Sequence, residues 1–179
     1  GASFAGARAM TSMKHVGLNV ASDALMSMTY IGVNAGLVLV VCDDPGIHSS
    51  QNEQDSRFYS RLAMMPTLEP SDAQEALDFT KIAFELSERF DSPIMVRSTT
   101  RLSHTRSLVQ VNERKNAPMK PFVEEPSKNV MIPSHARIRH PQLIKREQDV
   151  RDFLKTSDLI RWEKGGSEVG VVTLSTVYT

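Results

Sequence analysis

The chain has 179 residues, enough for one domain with its own core or a domain with an appendage. Its 21 Lys and Arg balance 21 Asp and Glu, so no overall charge draws it to nucleic acid or an anionic membrane. One cysteine excludes an internal disulfide and a multi-cysteine metal site, and the longest apolar run, Leu37–Cys42, falls far short of the roughly 20 residues of a membrane span.

The expectation is a soluble, cytoplasmic protein. Gly1–Met10 lacks the charged start and apolar core of a signal peptide, and its small residues suit a tightly packed helix. A short strand follows around Ala9–Met13, then a helix over Ala21–Val33 with Leu25, Met28, Thr29 and Gly32 on one face. Leu37–Cys42 is apolar on both faces and β-branched, as a central parallel strand requires. A third helix is expected from after Ser50 to about Arg61, and a strand over Met64–Leu68. Ser71–Phe90 reads as an amphipathic helix, with Ser71 and Gln74 as a capping-box pair and Ala76, Leu77, Ala83, Phe84, Leu86 and Phe90 on the buried face. Ile94–Val96 is the next strand. Such alternation predicts an α/β fold, a three-layer α/β/α arrangement on a mostly parallel sheet with right-handed crossovers.

The second half differs. Residues 1–96 carry six basic and twelve acidic side chains, whereas residues 97–151 carry twelve and five. Arg97, Arg101, His104 and Arg106 read as a solvated basic edge. Pro118, Pro121, Pro126, Pro133 and Pro141 argue against a long helix, so about Val111–Pro141 is expected as an extended strap docked on the surface, with disorder as the alternative, and a short helix over Gln142–Leu154. After Gly165-Gly166, Val169–Leu174 looks like the first strand of a following α/β domain. This divides the chain into a domain over 1–110, a connector over 111–164 and an opening strand within 165–179, with both ends reading as cuts in a larger protein.

Open α/β sheets bind ligands beyond the carboxyl ends of their strands. Two segments fall there: Met13–Asn19, and the polar Asp43–Asp55, whose one aliphatic side chain is Ile47. So polar a loop either caps the next helix or lines a pocket. His15 and His48 lack the close spacing of metal ligands, no G-x-S-x-G elbow accompanies Ser49 or Ser50, and glycine is absent from Ile47 to Lys164, so no glycine-rich phosphate loop lies there.

The strings MKHVGLNVASDALMS, VVCDDPGIHSSQNEQDSRFYS and LEPSDAQEA, with the spacing between them, resemble the alpha subunit of the indolepyruvate:ferredoxin oxidoreductase family from Gly1 to about His104. The resemblance implies the pyrimidine-side domain of a thiamine-diphosphate enzyme; the alternatives are the same domain of a related 2-oxoacid:ferredoxin oxidoreductase, and an α/β module whose polar loops bind another subunit and do no chemistry. The complete enzyme would carry Mg²⁺ and 4Fe-4S clusters and oxidatively decarboxylate aryl pyruvates. Electrons would pass to ferredoxin and the acyl group to coenzyme A. A beta subunit would be its partner, with no nucleic acid or membrane involved, and a chain deprived of that partner is expected to form a homodimer. The family's activating glutamate would precede Gly1, and no glutamate occurs before Glu53. This chain alone is therefore expected to be inactive and to bind no cofactor tightly.

Gly17, Leu18 and Asn19 are the first candidates for the cofactor face, because a glycine admits close backbone approach and an amide both donates and accepts. A helix-capping role for Asn19 is the alternative. Asp44, Pro45, Gly46, His48, Ser49 and Gln51 are candidates for the cofactor side of the second loop or for contact with the partner subunit. Lys14 and His15 are candidates for attracting a substrate carboxylate. These residues are expected to share one crevice, with Asn19 and His48 lining a common hollow.

Overall fold

The computed structural model describes residues 1–114, 116–166 and 168–177. Four strands form one parallel sheet in the order β1-β2-β4-β3: β1 Ala9–Lys14, β2 Leu37–Asp43, β3 Thr67–Leu68 and β4 Ile94–Thr99. Val38, Leu39 and Val41 of β2 are buried, because the strand has a neighbour on each edge and helices on each face.

Helices α1 (His15–Val20) and α2 (Ser22–Ile31) pack on one face, where Leu18 and Leu25 meet Leu39, Val41 and Met95. Helix α3 (Arg57–Leu62) closes the same side, with Tyr59 and the following Ala63 and Met65 against that core. Helix α4 (Ala73–Phe90) covers the opposite face, setting Ala83 and Leu86 against Val38, Ile94 and Val96. The three-layer α/β/α architecture follows from this two-sided burial.

The start of α4 differs from expectation by one residue. Asp72, not Ser71, is the N-cap and accepts from Glu75 N at 2.8 Å. Glu75 in turn accepts from Ser71 N at 2.8 Å and Ser71 Oγ at 2.7 Å, so Glu75 takes the reciprocal role assigned to Gln74. Residues 1–6 form turns rather than a helix. The hydroxyl of Ser3 donates to Ala35 O, and Lys120 N donates to Gly6 O, so long-range partners take the backbone groups. Helix α3 starts only at Arg57, because the donors of residues 46–56 go to carboxylates instead of a helical ladder.

The largest correction concerns the proline-rich half. After α5 (Thr100–Ser103) and α6 (Pro126–Asn129), α7 runs for 22 residues over Pro133–Leu154 and includes Pro141. Pro133 suits the first turn, where a missing N–H costs nothing. The cost of Pro141, about 3 kcal/mol in a helix interior, is met by tertiary contacts. Leu143 is buried, and Arg139 donates to Tyr30 O at 3.0 Å and Ile31 O at 2.9 Å. Arg146 donates to Thr29 O at 2.8 Å, so two guanidinium groups satisfy the last carbonyls of α2. Asp91, in the left-handed region at φ 50°, accepts from both arginines and from Lys128.

Val169–Leu174 is not a strand here. It runs as irregular backbone into a 3₁₀ turn at Ser175–Val177, since no described strand edge pairs with it. Among the described residues, no helix is long and apolar enough to cross a membrane.

Candidate functional site

The carboxyl ends of β1, β2 and β4 deliver Lys14, Asp43 and Thr99 to one edge of the sheet. Two adjacent aspartates, the last residue of β2 and the one after it, organise that edge through separate sets of partners. Asp44, at 4 % exposure, accepts from Ser49 N at 2.8 Å, His48 N at 3.2 Å, Thr100 Oγ1 at 2.8 Å and the Ser50 hydroxyl. The Ser50 hydroxyl, then Ser49 N, holds its carboxyl well below the usual carboxylate range. Lys14 Nζ lies 3.4 Å from Asp44 and donates to Ser49 O, tying the first segment to the second loop.

Asp43, at 2 % exposure, accepts from Ser56 N at 3.0 Å, Ser56 Oγ at 2.7 Å and Arg97 Nε at 2.6 Å. Arg97 also donates to Glu69 at 2.8 Å and stands 3.7 Å from Asp55. Asp55 is itself held by Arg57, whose hydrogen bonds keep that carboxyl low. The backbone register explains this convergence: Val41 pairs with Arg97 and Asp43 with Thr99, so one face of the sheet changes from apolar to polar within two residues. Arg97 therefore does not belong with the exposed basic edge of Arg101, His104 and Arg106. It is a buried ion.

A cleft of about 380 Å³ opens beside this network. Its lining includes Pro45, His48, Arg97, Thr100 and Arg101, and the turn at 174–177 supplies another wall. None of Met13–Asn19 lines it, so Asn19 and His48 do not share this hollow.

The sequence candidates separate accordingly. Leu18 is fully buried in the core, which removes it from a ligand surface in this structure. His15 is 1 % exposed and cannot meet a carboxylate from solution; its two ring nitrogens and Thr99 Oγ1 are buried without a hydrogen-bond partner among the described residues. Gly17 lies inside α1, where an added Cβ would sit 3.1 Å from Met13 Cβ, so helix–strand packing accounts for the glycine. Asn19 is exposed near the end of α1 and accepts from the Tyr59 hydroxyl rather than capping the helix. Lys14 is engaged by the second loop. Gly46 takes φ 84° in the turn after Pro45 and donates to Glu53, while His48, Ser49 and Gln51 are exposed.

Sequence reasoning missed Arg97, Ser56, Glu69 and Tyr59. A charge directly after Ile94-Met95-Val96, in register with a strand ending in Asp43, was the available signal for the first of these.

Residues 1–156 match the family described as pyruvate flavodoxin/ferredoxin oxidoreductase, thiamine diP-bdg. The chain belongs to this family. It is 49 % identical over 174 residues to indolepyruvate oxidoreductase subunit IorA of Methanothermobacter thermautotrophicus, covering 96 % of this chain and 28 % of that protein. The corresponding subunits of Archaeoglobus fulgidus and Pyrococcus horikoshii are 43 % and 45 % identical, over 100 % and 96 % of this chain and 29 % and 28 % of theirs. This chain thus spans less than a third of the curated relatives it matches. Among solved structures, a 2-oxoglutarate:ferredoxin oxidoreductase from Magnetococcus marinus superposes with a TM-score of 0.57 at 17 % identity, covering 85 % of this chain and 34 % of that one, which shows the shared fold.

The family's cofactor fits this strand-end edge only in part. The cleft offers polar groups and the apolar surfaces of Pro45, Leu174 and Val177 to one side of a ring. For the metal end, the described residues contain no group of three or more His, Cys, Asp or Glu that could hold a cation. Lining carboxylates Asp55 and Glu69 are already turned to Arg57 and Arg97.

Proposed function

We propose that this chain is the pyrimidine-side portion of the alpha subunit of an indolepyruvate:ferredoxin oxidoreductase. The observation that carries the reading is 43–49 % identity to three archaeal IorA subunits across nearly the whole chain. The strand-end edge, where Lys14 joins the Asp44 loop beside the cleft, supports placing the reaction there, as expected of an open α/β sheet.

In this reading thiamine diphosphate, when bound with Mg²⁺, supplies the carbanion chemistry of decarboxylation, and the protein supplies binding and orientation. In the whole enzyme an aryl 2-oxo acid would lose carbon dioxide, coenzyme A would take the acyl group and ferredoxin would take the electrons. The metal end of the cofactor, the clusters and the beta subunit lie outside this chain. Within it, the Asp44 loop presents polar groups, His48 and Pro45 form part of the cleft, and the ion pairs of Arg97 with Asp43 and Glu69 lie at its base. Lys14 pairs with Asp44 and ties the first segment to the second loop.

The test is ferredoxin reduction by the full-length subunit assembled with its beta partner. Turnover should require indole-3-pyruvate, coenzyme A and thiamine diphosphate together; turnover indifferent to the 2-oxo acid would refute the assignment. Calorimetric titration of the 179-residue chain with thiamine diphosphate and Mg²⁺ should show no tight binding. His48→Ala, at the cleft, should lower turnover of the whole enzyme with little change in folding; wild-type turnover would remove the second loop from the mechanism.

A further inference from the structure

We propose that Arg97 is a positioning residue that fixes the Asp43–Asp55 loop as one wall of the binding cleft and so sets affinity for the 2-oxo acid; this rests on the function proposed above. The argument begins with place. Arg97 lies on a parallel strand directly after three buried residues, at a position paired with Val41, where an aliphatic side chain would be ordinary. The guanidinium is instead 7 % exposed and faces carboxylates from three separate segments.

Its contacts run to both ends of the loop. Nε reaches Asp43, where the loop begins, and Nη2 stands 3.7 Å from Asp55, where it ends. Nη1 reaches Glu69, beyond β3. Ser56, next to Asp55, donates twice to the same Asp43 carboxylate. One planar cation thus hydrogen-bonds the first foot of a thirteen-residue loop and stands within ion-pair range of the second, which Arg57 also holds, and Pro45, His48, Glu53 and Gln54 of the intervening stretch line the cleft. A fork of fixed donors can hold several carboxylates in a set geometry, whereas a lysine is a point charge on a flexible stem. Arg97 is therefore matched to holding shape.

Arg97→Lys and the neutral double variant Asp43→Asn/Arg97→Gln separate this role from charge balance, because the pair removes both buried charges together. Hydrogen exchange of the 179-residue chain should show amides of residues 44–55 exchanging about tenfold faster or more in both variants, with Pro133–Leu154 unchanged, since local opening is governed by local contacts. In the full-length enzyme, KM for indole-3-pyruvate should rise about tenfold while kcat changes less than about twofold, the pattern of lost binding rather than lost chemistry. Wild-type exchange rates across 44–55 would overturn the proposal, as would a loosened loop with unchanged KM. If the wild-type enzyme fails to turn over any 2-oxo acid, the functional assignment and the link to affinity both fall, and the exchange measurement still decides whether Arg97 holds the loop.

Discussion

At the residue scale, the informative side chains are charged groups that burial has obliged to find partners. Glu88 accepts from Arg8 at 3.0 Å and from Gly36 N at 3.0 Å, and Lys120 approaches to 3.3 Å. The hydrogen bonds from Arg8 lower its carboxyl from 4.5 to about 2. A carboxyl lowered on folding stabilises the folded chain fully above its unfolded pKa and loses that contribution as pH falls through the folded value. Thermal melts of Glu88→Gln should therefore lie below wild type near neutral pH, with the gap closing from about pH 4.5 downward and lost as pH falls through about 2. A gap that persisted in acid would assign the loss to packing instead. Asp44 obeys the same sign, its ionised form favoured chiefly by the Ser50 hydroxyl and Ser49 N.

At the scale of elements, the helix starts show how closely local chemistry can be read and where it slips. S-D-A-Q-E offers two overlapping capping boxes, and the structure uses Asp72 with Glu75. Asp72→Ala should cost about 1 kcal/mol, measured by the same melts, and Gln74→Ala, which loses only exposed hydrogen bonds to Gln110 and Asp78, should cost less. A larger loss at Gln74 would overturn the Asp72 cap. The amphipathic α4 and the apolar β2 were legible because their periodicity is set by burial on the sheet. Of helix α7 only the second half, Gln142–Leu154, was legible, and its first half from Pro133 was not. Its sequence is polar, its interior carries Pro141, and its stability comes from Asp91 and the α2 carbonyls far away in the chain. Asp91→Asn keeps a residue that tolerates φ 50° and removes the charge facing Lys128, Arg139 and Arg146. Amides of Pro133–Leu154 should then exchange about tenfold faster or more while those of β2 and β4 hold their protection; an unaltered α7 would mean apolar contacts alone retain it.

Across the whole molecule, the segregation of charge along the sequence acquires a structural meaning. The acidic first 96 residues supply Asp91, Glu88 and Glu75, and the later segments supply Arg139, Arg146, Lys120 and Arg161 against them. Net neutrality is thus partly the sum of two halves that bind each other. The apolar contribution of α7 to the second core is small: Phe153 packs against Phe90 with ring centroids 5.5 Å apart, and Leu143 is buried. Charge therefore has a large share in keeping α7 on the domain, and because Arg139 and Arg146 are largely buried, salt should screen their pairs with Asp91 only weakly.

The sequence by itself determined the alternation of strand and helix, the parallel sheet, the placing of two polar segments beyond its strands and the likeness to a family of 2-oxoacid:ferredoxin oxidoreductases. Those features follow from local periodicity, turn chemistry and contiguous strings of residues. Only the tertiary structure decided that Leu18 and His15 face inward, that Arg97 is buried among carboxylates, that Pro141 sits inside a long helix and that the cleft excludes Met13–Asn19. Each depends on partners distant in the chain, and the burial that selects those partners exists only once the layers have packed.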